Sequence, residues 1–119
     1  MTERMIEHLS TQEQSAVSAF LQALQEHLGA QFVQAYLFGS KARGDGHPAS
    51  DIDILITVKE ENWPLRAQVS TLAADVSLDY SVLIGPRVIG LERWTRMQEA
   101  GFGLYKNVIA EGVPLLLPS

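Results

Sequence analysis

Cysteine is absent from the 119 residues, which removes disulfide frameworks, thiolate zinc sites and cysteine nucleophiles. Any metal must take oxygen or histidine ligands. The three histidines, His8, His27 and His47, show no ligand spacing with one another or with the aspartates, so they read as surface or loop residues. No apolar run approaches the roughly 20 residues needed to cross a bilayer. The opening stretch MTERMIEHLS is polar and lacks the apolar segment of a secretory signal, so a reducing, cytoplasmic setting is expected. Cations are also few. Nine Lys and Arg against 14 Asp and Glu leave a formal charge of −5, the opposite of the basic face that a nucleic-acid backbone selects. Neither nucleic acid nor membrane is an expected partner, although a small anion could still be served locally by Lys41 and Arg43.

The chain is hydrophobic at 46% of its positions, enough for one compact domain over residues 1–119 with a core of its own. Ser10 and Glu13 have capping-box spacing, and Val17, Phe20, Leu21, Leu24 and Leu28 repeat on one helical face before Gly29, which predicts a helix from about Thr11 to Leu28. QFVQAYLF predicts a buried strand over about Phe32 to Phe38. A Gly- and Pro-containing loop follows, and then DIDILITV alternates: Asp51, Asp53, Leu55 and Thr57 on one face, Ile52, Ile54, Ile56 and Val58 on the other. Asn62 and Pro64 suit a helix start, with the helix running to about Ala74. VSLDYSVLI then alternates as a further strand that places Asp79 among Ser77, Ser81 and Leu83. Gly85-Pro86 is expected to end it. The segments LERWTRMQEA and LYKNVIAEG read as helices, ended at Gly112 with Pro114 beyond. Trp63, Trp94, Phe102 and Tyr105 are expected to serve packing. The fold class is α+β of mixed α/β type: a small mixed sheet with helices packed on its apolar face, leaving the other face for chemistry.

If the two carboxylate-bearing strands are neighbours in register, Asp51, Asp53 and Asp79 converge on that free face. Three close carboxylates repel one another, so their pKa values must rise or a cation must neutralise them. Oxygen-only ligands suit Mg²⁺ or Mn²⁺, and Mg²⁺ takes one or two protein carboxylates together with substrate phosphates. Gly39-Ser40 follows the first strand, where a glycine permits close backbone approach and exposed amides can cradle phosphate oxygens. Ten residues, 41–50, separate that pair from Asp51-x-Asp53.

The joined pattern GSKARGDGHPASDIDILI, with SLDYSV downstream, resembles the minimal nucleotidyltransferases of the DNA polymerase β superfamily, over roughly residues 30–85. That resemblance implies a polymerase β palm-like nucleotidyltransferase fold. Asp51 and Asp53 would hold two divalent ions, Mg²⁺ or Mn²⁺. Gly39 and Ser40 would grip the triphosphate of ATP, with Lys41, Arg43 and Ser50 in the same nucleotide-binding group. Asp79 would bind one metal and draw the proton from the attacking hydroxyl. Lys41 stands where the family more often has arginine, which weakens the case for bidentate phosphate contact there. A stand-alone domain of this size resembles the antitoxin half of HEPN/MNT toxin–antitoxin pairs, which implies a HEPN-family ribonuclease as partner, a tyrosine of that partner as AMP acceptor, and a homo- or hetero-oligomeric assembly. The alternatives are an antitoxin that acts by occlusion without catalysis and a small-molecule transferase of the antibiotic-modifying kind.

Overall fold

The computed structural model describes residues 8–44 and 50–115. Helix α1, Thr11–Leu28, opens on the expected capping box: the Ser10 hydroxyl accepts from the Glu13 amide, and the Glu13 carboxylate accepts from the Ser10 amide. Its buried stripe, Ala16, Val17, Phe20, Leu21, Leu24 and Leu28, lies on the sheet. A single 3₁₀ turn, Gly29–Gln31, leads into β1, Phe32–Phe38. The short helix α2, Ser40–Arg43, follows β1 directly. Strand β2, Ile52–Val58, runs antiparallel to β1, with Phe38 opposite Asp53.

Helix α3, Trp63–Tyr80, starts from Asn62, whose side chain caps the Leu65 amide. It runs six residues past the expected end at Ala74. Leu65, Val69, Ala73 and Val76 are its buried positions, a helical spacing that runs into the start of the segment expected to be a strand. Ser81, in the left-handed region at φ 53°, ends the helix. The Ser77 hydroxyl donates to the Ala73 carbonyl and accepts from the Ile84 amide, tying the last turn to the next strand. That strand, β3, is Ile84–Gly90 and pairs parallel to β2. It therefore begins where the sequence pattern had a strand end. Pro86 is tolerated because β3 is an edge strand, where a missing N–H disturbs no ladder on its outer side. Helices α4, Leu91–Ala100, and α5, Gly103–Glu111, follow, and β4, Val113–Leu115, a strand not anticipated, pairs antiparallel to β1. The sheet order is β3-β2-β1-β4.

Both faces of the sheet carry helices, which corrects the expectation of one covered face. Ile52, Ile54, Ile56 and Val58 pack with α1 and α3 in the larger core. On the opposite face Leu55 and Ile89 pack with Trp94, Met97 and Val108 of α4 and α5, flanked by Tyr36 and Phe38. Trp94 lies between Tyr36 and Tyr105, with ring centroids 6.0 and 4.8 Å away. Asp51, just before β2, is exposed and Asp53, near its start, is partly buried on this second face. Trp94 thus packs as expected, whereas Trp63 is 77% and Phe102 57% exposed.

Candidate active site

Strand alternation sends the Ile52 side chain into the core and leaves Asp51 and Asp53 on the other side of the chain. Their carboxylates converge above one glycine of the neighbouring strand. A Cβ built at Gly85 would lie 3.4 Å from Asp53 Oδ1 and 3.9 Å from Asp51 Oδ2. Gly85 is the register partner of Asp53, and both carboxylates come within van der Waals reach of a Cβ there. From the β1 side, Gly39 closes on the same group: at φ +75°, a Cβ there would stand 2.4 Å from Asp53 Oδ2. Any side chain at Gly39 would therefore displace the carboxylate and strain the backbone as well. The turn, the two acids and β3 form one compact constellation.

Burial raises the Asp53 pKa, and the Asp51 charge raises it further; Arg87 and Arg43 act in the opposite direction without cancelling the effect. The site accordingly favours a positive charge between its acids. Two carboxylates on one face fit a single Mg²⁺ or Mn²⁺ that shares substrate phosphates and water as its remaining ligands. A cluster of three or more acidic or histidine ligands is not found among the described residues.

Asp79 accounts for the difference from the expected trio. It lies in the last turn of α3, exposed, on a helix that packs against the Ile52 and Ile54 face rather than the carboxylate face. The strand beside β2 offers Gly85 and Arg87 where a third carboxylate was expected. A base or metal role for Asp79 in this site is therefore not supported by its position.

Lys41 is also placed differently from expectation. It is buried in α2, and its ammonium lies 2.7 Å from the Glu13 carboxylate of α1. Burial pushes the Glu13 pKa up, but the Lys41 and Ser10 hydrogen bonds and the Lys41 charge outweigh it and hold the group below its ordinary value. Lys41 thus braces the turn from below instead of facing a phosphate. Arg43 is half-exposed and lies 3.4 Å from Glu111 of α5, while its charge is felt at Asp53. Ser40 opens α2; the Ala42 and Arg43 amides donate to the Gly39 carbonyl, which leaves the Ser40 and Lys41 amides as the first-turn donors that an anion could meet. Ser50 directly precedes Asp51 and is partly buried. The loop residues 45–49, His47 among them, lie outside the described residues.

A carboxylate pair on the second strand, a Gly-Ser turn after the first and a mixed sheet flanked by helices define a nucleotidyltransferase, and the chain belongs to the nucleotidyltransferase-domain family, whose model matches residues 17–87. Two curated relatives from Methanocaldococcus jannaschii both carry the name putative protein adenylyltransferase. The first is 45% identical over 51 residues, which is 42% of this chain and 52% of the relative. The chain thus matches about half the length of that protein. The second is 33% identical over 100 residues, 84% of this chain and 94% of the relative. A solved toxin–antitoxin structure with AMP-PNP shares the fold at a TM-score of 0.61 and 19% identity, over 87% of this chain and 74% of that one.

Proposed function

We propose that this protein transfers AMP from MgATP to a hydroxyl of a partner protein, and that it does so as the antitoxin of a toxin–antitoxin pair. The observation that carries the reading is the convergence of Asp51 and Asp53 above Gly85, closed from the other side by the Gly39-Ser40 turn. The names of the two Methanocaldococcus relatives supply the acceptor class, and the toxin–antitoxin neighbour supplies the biological setting. The finer expectation is a HEPN-family ribonuclease as toxin, with one of its tyrosines as acceptor.

Asp51 and Asp53 would hold the divalent ion, Mg²⁺ or Mn²⁺. That ion would supply charge neutralisation at the phosphates and lower the pKa of the attacking hydroxyl. The amides opening α2 at Ser40 would receive the β- and γ-phosphates, with Arg43 and Ser50 at the margin of the site. The acceptor oxygen forms a bond to the α-phosphorus as the bond to the bridging α–β oxygen breaks. The electron pair leaves with pyrophosphate, and the hydroxyl proton passes to solvent. Because Asp51 is exposed just before β2, a docked protein surface would complete the acceptor side and supply the proximity on which the rate depends.

One observation favours a second reading. The absence of a third acidic or histidine ligand among the described residues suits an antitoxin that binds nucleotide and neutralises its toxin by occlusion. The two readings separate in an assay of purified toxin incubated with this protein, Mg²⁺ and ATP. AMP transfer predicts an AMP-sized mass gain that is lost in Asp53→Asn. Occlusion predicts neutralisation with no mass change, retained in that variant.

A further inference from the structure

The third strand brings a cation, not an acid, to the carboxylate face. Arg87 pairs in parallel register with Leu55, two positions after the pairing of Gly85 with Asp53, so its side chain leaves the sheet on the same side as the Asp53 carboxylate. It is exposed and lines a cleft of about 350 Å³ with Arg66, Arg93, Met97, Phe102 and Leu104. Its two arginine neighbours are engaged: Glu61 holds Arg66, and it holds Arg93 at 3.0 Å. Arg87 has no ion pair among the described residues, and its charge acts on Asp53.

In a nucleotide-bound site such a group would have charge to meet. Two carboxylates and one divalent ion neutralise each other, which leaves the negative charge of a triphosphate to be met by Arg43 and amides on the β1 side. Strand β3 itself carries no acidic residue to anchor a second metal ion, and a guanidinium stands at its outward position instead. It presents paired donors that match two phosphoryl oxygens.

We propose that Arg87 binds the α-phosphoryl group of the nucleoside triphosphate, donating to its non-bridging oxygens from the β3 side while the β- and γ-phosphates lie at Gly39-Ser40. The proposal rests on the nucleotide-transfer reading of the Asp51–Asp53 site and adds a ligand to it. The α-phosphoryl oxygens keep their charge as the acceptor bond forms and the bond to pyrophosphate breaks. Arg87 therefore serves both binding and reaction.

Calorimetric titration with MgATP and, separately, with magnesium pyrophosphate distinguishes the possibilities without reference to turnover. Arg87→Gln should weaken ATP binding at least about tenfold, the scale of a lost charge-assisted hydrogen bond, while pyrophosphate affinity stays within about twofold. Arg87→Lys, which keeps the charge and loses the fork, should fall between. Arg96→Gln removes an equal charge from an exposed site on α4 and should leave both titrations unchanged. Equal losses for ATP and pyrophosphate in Arg87→Gln would move the residue to the leaving group and overturn the assignment, as would unaltered ATP binding. A wild-type protein that bound neither ligand would defeat the underlying nucleotide reading, an outcome distinct from either of these.

Discussion

Gly39 and Asp53 occupy each other's space: a methyl group at Gly39 would lie 2.4 Å from the Asp53 carboxylate, on a backbone held at φ +75°. The relationship explains why the glycine ending β1 and the second acid of β2 belong to one device. Gly39→Ala should destabilise the protein by roughly 2 kcal/mol from backbone strain alone, and it should abolish transfer by pushing the carboxylate aside. Combining it with Asp53→Ser should recover part of the lost thermal stability, because the steric component disappears and the positive-φ component remains. A full additive loss in the double variant would show that the two residues are not in contact.

Asp53 gives a pH signature. Burial first, and then Asp51, raise its pKa above the ordinary value of 3.8. Below that value the group is protonated in folded and unfolded chains alike and contributes nothing. As pH rises through 3.8 and then through the raised folded value, the unfolded chain ionises more readily, so the folded state loses stability. In chelator, Asp53→Asn should therefore melt higher than wild type at pH 7, and the advantage should vanish at pH 3. Added Mg²⁺ should raise the wild-type melting temperature and leave the variant's unchanged.

Lys41 and Glu13 make the opposite kind of prediction. The Glu13 side chain is 13% exposed, and removing the ammonium takes that partner from it, so Lys41→Ala should lower stability by about 3 kcal/mol. The ATP affinity of the folded fraction should stay within about twofold, because the group faces α1 and not the nucleotide. Glu13 has a folded pKa held below its ordinary 4.5. Its stabilisation is thus present above that value and fades as pH falls through the folded pKa. Denaturant titrations of wild type and Glu13→Gln should converge in acid.

Asp79→Asn should leave transfer within about twofold of wild type, since the side chain is exposed on α3, the helix of the opposite face. A loss comparable to that of Asp53→Asn, measured as pyrophosphate release, would return Asp79 to the site.

The first half of the chain is legible because each signal there is local. The Ser10–Glu13 box, the apolar spacing to Leu28, the aromatic run of β1 and the alternation through Ile52, Ile54 and Ile56 each determine an element by themselves. The second half misleads because VSLDYSVLI satisfies two periods at once. It alternates as a strand should, yet Leu65, Val69, Ala73 and Val76 continue a helical stripe into it, and burial on the Ile52 face decides for the helix. Pro86 then conceals β3, since the edge position that tolerates it depends on tertiary arrangement. Its period is nevertheless present in the sequence, with Gly85, Arg87 and Ile89 on one side. Recognising that alternation would have put Arg87, rather than Asp79, beside Asp53. The Lys41–Glu13 pair lies 28 positions apart in sequence, and no local pattern announces it.

The central claim is that the Asp51–Asp53 site moves AMP onto a partner protein, and the intact mass of a purified cognate toxin after incubation with this protein, Mg²⁺ and ATP tests it most directly. The account predicts an AMP-sized increment on the toxin, absent with Asp53→Asn and absent in chelator. A toxin that is neutralised with its mass unchanged, or an increment that survives in the Asp51→Ala, Asp53→Ala double variant, would contradict it.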